Sequence, residues 1–320
     1  EISLDLYGPS LAIKSSIAKK EDDNLSLVET LLEVVNSHLP SKTISIPSKN
    51  KAIHQVLPSI SLGDATSNIA FHIQNYIKNQ GYQSKIFVEH INESVRGMCQ
   101  TFDSSMISKN DGLIYHHAIA CNVLKDVILH SGSKALIYHN ITPADFFIEY
   151  DIRFYGILQK GRDQLPLLAP FFPISLGDSS FNVQELRECG FQNPAVMGIG
   201  ITPEKWNIES LPSLFDKFYD GGTNILYVSR VSPNKCQHDL IEAFEHYKRL
   251  DPNSRLIIVG SFDPSDNYCR RITQIVKDSK VKDSIFIVGK VNEQELYTYY
   301  RLGDLFWSMS EHEGFGVPLL

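Results

Sequence analysis

The sequence is short of the features that mark several common protein classes. It has five cysteines in 320 residues (Cys99, Cys121, Cys189, Cys236 and Cys269), odd in number and never in C-x-x-C spacing. That pattern argues against a disulfide scaffold or a zinc site and fits reduced thiols in a cytoplasmic chain. Positive charge is also scarce. Thirty Lys and Arg against 37 Asp and Glu give a formal net charge of -7, so no nucleic-acid partner is expected, although a local basic site for a phosphorylated ligand is allowed. No apolar run approaches the roughly 20 residues of a membrane span, and the mean hydropathy is -0.14. No signal peptide is expected, and Glu1 in place of Met suggests a trimmed amino end.

What the sequence does have is alternation of apolar runs with amphipathic stretches. Its length suits two ordinary domains. Residues 1–50 stand apart: a charged run at Lys19–Asp23, then Ser26-x-x-Glu29 as a capping box, with Leu27, Val28, Leu31, Leu32 and Val35 on one helical face before Pro40. This segment reads as an accessory element with one amphipathic helix. From Ala52 the alternation is β/α, with strands expected at 54–57, 85–88, 112–115, 135–138 and 173–176, and a helix after the turn at Gly63-Asp64. A second alternation begins at Asn224, with strands at 224–228, 256–259, 285–288 and 305–309 and helices between them. The run Leu305–Met309 reads as a buried parallel strand. The fold class is therefore α/β, with two Rossmann-like doubly wound parallel sheets, residues 51–205 and 206–320, facing a cleft.

The strand at 224–228 delivers Ser229-Arg230-Val231-Ser232-Pro233-Asn234-Lys235 into the loop before the next helix. Two cations at a strand end, near a helix N-terminus whose N–H groups already favour anions, suit a diphosphate. The run at 305–309 is followed by Glu313-Gly314-Phe315-Gly316-Val317-Pro318, an acidic residue and a turn whose backbone can approach a ligand closely.

These residues resemble the retaining family 4 (group 1) glycosyltransferases, whose E-x7-E signature opens E-G-F-G-x-P; here Glu313 is the first Glu and the sequence stops one residue before the second. The resemblance covers about Ile53 to Leu320 and implies a GT-B fold whose second domain is incomplete. It implies a donor-phosphate loop at Arg230 and Lys235, with Cys236 where the family has Gly. It makes Glu313 the ligand of the donor sugar's hydroxyls, with Gly314, Phe315 and Gly316 beside sugar or phosphate, and Gly289 and Val291, from Val288-Gly289-Lys290-Val291, near the nucleotide base. Gly63 would border the donor phosphates and Asp64 the acceptor.

Asp111-Gly112-Leu113-Ile114-Tyr115-His116-His117 is similar to the family's D-x-x-H-x-H segment, whose final His lies in the cleft. Counting from Asp111 makes that residue His116; counting from the loop side makes it His117. Tyr138-His139-Asn140-Ile141-Thr142-Pro143 recurs in bacterial relatives and places His139 and Asn140 on the acceptor side, with a turn-capping role for His139 equally open. The candidate catalytic residues are then His116, Arg230, Lys235 and Glu313. No D-x-D occurs, so no metal and no cofactor are expected, and the two cations would stabilise the leaving diphosphate instead.

The implied activity is transfer of a hexose-like sugar, with mannose a candidate, from a nucleotide-diphosphate sugar to a glycan or lipid-linked acceptor in bacterial surface-polysaccharide synthesis. Peripheral association with the inner face of the membrane fits such an acceptor. The chain as it stands is expected to bind donor poorly for want of the second Glu. A non-catalytic GT-B scaffold, a phosphorylase or an epimerase are the competing readings.

Overall fold

The computed structural model describes residues 2–4, 11–13, 52–61, 63–91, 95–198 and 207–319. Strands β1 (Ile2–Leu4) and β2 (Leu11–Ile13) pair antiparallel, a ribbon that the sequence pattern does not announce. The amphipathic helix expected at residues 26–35 lies outside the described residues.

The first large unit is built on β3 (Ile53–Ile60), which leads into helix α1 (Ala65–Asn79). Strands β4 (Ile86–Ile91), β5 (Gln100–Thr101) and β6 (Gly112–His117) follow, then α2 (Leu124–Leu129), β7 (Lys134–Tyr138) and α3 (Ile152–Leu168). The unit ends with β8 (Ile174–Gly177), α4 (Ser180–Glu188) and β9 (Ala195–Val196). All neighbours in this seven-stranded sheet are parallel, in the order β5-β4-β3-β6-β7-β8-β9. Helices cover both faces, so the strands read as near-continuous apolar runs rather than alternating ones. Val56, Leu113, Tyr115, Leu136 and Tyr138 form the core on one face with Leu158, Leu165 and Leu168 of α3, while Leu57, Ile86 and Val88 pack with Ala70 of α1 on the other.

Pro58 falls inside β3, yet the β3–β6 ladder ends at Val56 opposite Tyr115. The missing N–H therefore costs no bond on that side. The two strands part just where the chain reverses its direction of sheet growth.

The second unit carries α5 (Pro212–Phe218), β10 (Asn224–Val228), α6 (Gln237–Leu250) and β11 (Arg255–Val259). Then come α7 (Asn267–Asp278), β12 (Ile285–Gly289), α8 (Glu293–Leu302) and β13 (Leu305–Phe306). Its sheet is also parallel, ordered β12-β11-β10-β13. The strand expected over 305–309 is only two residues long. Leu305 is 44% exposed and Met309 37% exposed, because β13 pairs with β10 alone among the described residues. The expectation of a buried strand is corrected to a short edge strand.

In both sheets growth reverses beside the first strand, at β3/β6 and at β10/β13. Such switch points open a crevice at the carboxyl ends of the strands, where α/β proteins bind ligands. The four loops that matter here leave from those ends.

Among the described residues the two units meet through Tyr150 and at the candidate site. Tyr150, ahead of α3, packs edge-on against Tyr268 at 5.1 Å; its carbonyl accepts from Asn267 Nδ2 at 2.6 Å and its hydroxyl meets Arg271.

Candidate active site

The loop after β10 is folded by its own polar groups. Ser232 Oγ donates to Asn234 Oδ1 at 2.9 Å, and the Tyr227 hydroxyl donates to the Lys235 carbonyl at 3.2 Å. A short 3-10 turn over Pro233–Lys235 ends at Cys236, whose φ of 50° and ψ of 42° are left-handed. That conformation costs a non-glycine residue roughly 1–2 kcal/mol, which gives a physical reason for Gly at the matching family position. Cys236 keeps the backbone shape with its side chain buried.

The loop after β13 closes on it. Asn234 Nδ2 and Lys235 Nζ both donate to the His312 carbonyl, at 3.1 and 2.8 Å, and Glu311 N–H donates to the Asn234 carbonyl at 3.1 Å. Lys235 Nζ then lies 2.8 Å from Glu313 Oε2. Two residues 78 positions apart in sequence are thus joined at the second switch point. Burial lowers the Lys235 ammonium from its ordinary value, and the adjacent Glu313 carboxylate offsets part of that. Two of the three ammonium donors are used by the His312 carbonyl and Glu313, which leaves one for an incoming anion. Arg230, exposed on the same loop, also weighs against the Lys235 charge. Gly314 and Phe315 are half-buried, and Gly316 is buried with a φ of 80°.

The first unit meets this turn through the loop after β7. Asn140 Nδ2 donates to the Glu313 carbonyl at 2.8 Å, and His312 Nε2 lies 3.3 Å from the Asn140 carbonyl. Asn140 holds a φ of 54°, a left-handed position that Asn tolerates better than most residues. A Cβ on Gly314 would sit 3.6 Å from the His139 carbonyl, so the two backbones run close together here. Lys235, Glu313, Gly314, His139 and Asn140 therefore converge.

Other expected residues are placed differently. Gly63 (φ 82°) and Asp64 do lie at the carboxyl end of β3, but the Asp64 carboxylate caps α1, accepting from the N–H of Ser67 at 2.9 Å and its hydroxyl at 2.8 Å. This carboxylate oxygen serves as the helix cap, and the side chain is exposed at the strand end. Gly289, with a φ of 83°, ends β12, two strands away from β10, and Val291 packs into the cluster around Phe218 and Tyr299.

The largest correction concerns His116 and His117. Neither side chain lines a cleft; both are fully buried. Successive residues of a strand point to opposite faces, and both faces of this sheet are covered by helices. His117 lies on the α3 side, its Nε2 donating to the Gly161 carbonyl at 2.9 Å. His116 lies on the α1 side, with Nε2 2.9 Å from Gln55 Oε1 and Nδ1 2.9 Å from His139 Nε2. Both nitrogens of His116 are occupied, so it has none to offer a sugar. His139 in turn meets Asp178 Oδ2 through Nδ1 at 2.8 Å. Asp111, first residue of the same segment, sits at the opposite end of β6, where it accepts from the Ala52 and Ser108 N–H groups.

Sequence reading missed Gln55, Asp178, Asn234 and His312. Asp178 follows an apolar strand much as Glu313 does, and that signal was there to read. Nothing in the sequence singles out Gln55.

Burial lowers the imidazoles of His54, His116, His117, His130 and His312 below the usual 6.5, His117 to about 4. Their folded values lie below their unfolded ones, so between the two the unfolded chain binds more protons. The stability they secure is complete above about 6.5 and is lost as pH falls below it. The unfolding midpoint in urea is expected to drop steadily between pH 7 and pH 5; a flat profile across that window would count against neutral buried imidazoles.

The fold that this geometry belongs to is the GT-B type, two parallel-sheet α/β units joined at their strand ends. Sucrose-phosphate synthase from Thermosynechococcus elongatus superposes with a TM-score of 0.62 at 13% identity, over 84% of this chain and 77% of that one. HepE from Anabaena, solved with UDP-glucose, gives 0.60 at 14% identity, over 81% and 74%. Within that fold, residues 216–320, which include strands β10 to β13, match the family model described as glycosyl transferases group 1. An α-monoglucosyldiacylglycerol synthase from Acholeplasma laidlawii is 31% identical over 126 residues, 38% of this chain. The match spans 30% of that relative's length.

Among the described residues no helix is long and apolar enough to cross a membrane.

Proposed function

We propose that the protein is a retaining, metal-independent glycosyltransferase that moves a hexose from a nucleotide-diphosphate sugar to a lipid-linked or glycan acceptor. The observation that carries this reading is the Lys235–Glu313 pair at the second switch point, with Arg230 on the same loop. Transfer breaks the bond between the anomeric carbon and a phosphate oxygen and forms one to the acceptor oxygen. The departing diphosphate gains negative charge, which the spare Lys235 donor and the Arg230 guanidinium stabilise. The leaving phosphate takes the acceptor proton. Glu313 accepts from donor hydroxyls through the oxygen that Lys235 leaves free. His116 has no part in the chemistry. Retention of configuration rests on the resemblance of the Glu313 turn and the Arg230–Lys235 loop.

The relative from Acholeplasma laidlawii is named for a glucolipid, and HepE was solved with UDP-glucose. Both names favour glucose over mannose as the donor sugar and a lipid-linked acceptor over a soluble one. Such an acceptor is met at the inner face of the membrane, by peripheral association from the cytoplasm.

A ligand that binds only the folded state raises stability by about 1.4 kcal/mol at ten times its Kd. In a form of the protein extended past Leu320 to include the second Glu of the signature, UDP-glucose at millimolar concentration is expected to raise the melting temperature more than GDP-mannose does, and to lose its sugar to a glycolipid acceptor. Should no nucleotide or nucleotide-sugar shift the melting curve, the scaffold reading would replace this one.

A further inference from the structure

The polar chain Gln55–His116–His139–Asp178 crosses four strands beneath the inter-unit contact, and its protons can be counted. Gln55 Nε2 donates to the Ala70 carbonyl at 2.9 Å, so its Oε1 faces His116 as an acceptor. Asp178 Oδ2 at the far end is an acceptor as well. Three hydrogen bonds link these ends through two imidazole rings, at 2.9, 2.9 and 2.8 Å, and each needs one proton. Three N–H groups on two rings amount to one positive charge. The ring planes are parallel to within 4° and their centroids 5.1 Å apart, as for two imidazoles joined end to end by the 2.9 Å nitrogen–nitrogen hydrogen bond. Only His139 touches a carboxylate, and a buried charge without a partner is costly, so the charge belongs on His139.

We propose that His139 is held as an imidazolium by Asp178, and that Asp178 is thereby a positioning residue for the donor site, fixing the His139–Asn140 turn that grips Glu313 and His312. The inference rests on the donor-site reading of Glu313 only for its functional half; the charge state stands on geometry alone. Asp178 follows β8, whose register sets Gly177 opposite Tyr138, so Asp178 and His139 leave adjacent strands side by side. His139 is 8% exposed and Asp178 4%. Among the described residues, His116 and His117 of β6 are titratable groups on which the ring acts. Burial depresses both, and the His139 charge adds to the effect. Asp178 Oδ1 has no partner among the described residues, so the carboxylate is committed to His139 by a single oxygen.

The consequence runs one residue along the chain. Asn140 is the residue that donates to the Glu313 carbonyl and receives His312. Its left-handed backbone persists only if its surroundings hold it, and the neighbour they hold is a ring anchored at both nitrogens.

The test is Asp178→Asn. The amide can turn its Nδ2 towards His139 Nδ1, which leaves every bond in the chain satisfied with both rings neutral. The substitution therefore removes the charge and keeps the hydrogen bonds and the volume. In nitrogen-15 spectra of the wild-type protein at pH 7.5, His139 is expected to show both ring nitrogens protonated and His116 one. In Asp178→Asn, His139 should show one. The donor KM measured with UDP-glucose should rise about tenfold, as for a site displaced by a fraction of an ångström, with the melting temperature shifted by only a few degrees.

Combined with Asn140→Ala, the two losses in donor affinity should not add, because Asp178 acts through Asn140. A neutral His139 in the wild-type protein, or a proton found on Asp178 instead, overturns the charge assignment whatever the activity. Additive losses, or an unchanged donor KM in Asp178→Asn, overturn the positioning role. If Asp178→Asn does not fold, the wild-type spectrum alone decides the charge, and His139→Gln combined with Asn140→Ala decides the route.

Discussion

Replacing Lys235 by Ala is expected to lower kcat/KM for the donor about 100- to 1,000-fold, the range found when a single preorganised charge-stabilising donor is removed. Three losses act together. The donor left free by His312 and Glu313 disappears from the place where the leaving diphosphate gains charge. Glu313 loses the partner that sets its carboxylate, 2.8 Å away. The His312 carbonyl loses one of the donors that draw the two switch-point loops together. Asn234 Nδ2 still reaches that carbonyl, so the loop should keep its path and the melting temperature should change by a few degrees only. Lys235→Arg should not restore the rate, because a planar guanidinium cannot direct three donors tetrahedrally at three acceptors. Arg230→Ala, at an exposed position, should cost less than Lys235→Ala, and at high ionic strength the difference should widen as screening weakens the exposed cation first. Steady-state kinetics with varied donor decide the matter. Full turnover in both alanine variants would remove the phosphate role from this loop.

The fold was legible because parallel strands buried on both faces leave long apolar runs: the one at 224–228 stands as expected, and the one at 285–288 gains only Gly289. The donor half of the site was legible for a related reason. Arg230, Lys235 and Glu313 follow such runs directly, and a switch point places whatever follows the strands into one crevice.

Helix α3 was not anticipated. Its sequence contains Gly156, Gly161 and Pro166, all of which read as breakers. Gly161 is there for contact: a Cβ would meet the Ala120 N–H at 2.8 Å, so the helix lies directly on the loop after β6. The same burial that made strands easy to find made His116 misleading. A histidine at a strand end is read as facing the cleft, yet a side chain on a doubly covered sheet points into a helix until the strand has ended. His116 is still inside β6, whose last residue is His117.

His116→Ala provides the sharper test of that correction, because the two locations predict opposite patterns. A cleft histidine would lower turnover and leave the melting temperature alone. A buried link in a polar chain does the reverse first. Removing the ring leaves Gln55 Oε1 and His139 Nε2 without partners and opens a cavity between β6 and α1. Each orphaned buried group costs about 1–3 kcal/mol and the cavity adds to it, so a total of roughly 3–5 kcal/mol is expected. For a unit of about 150 residues that corresponds to a fall of roughly 10 °C or more in the melting temperature. His116→Gln should recover part of the loss, since an amide can still donate to Gln55 and accept from His139. Activity should follow the folded fraction and fall further only through a displaced His139–Asn140 turn, visible as a raised donor KM with kcat nearly unchanged. Loss of kcat in a His116→Ala protein that melts with the wild type would instead put this imidazole back at the reacting carbon.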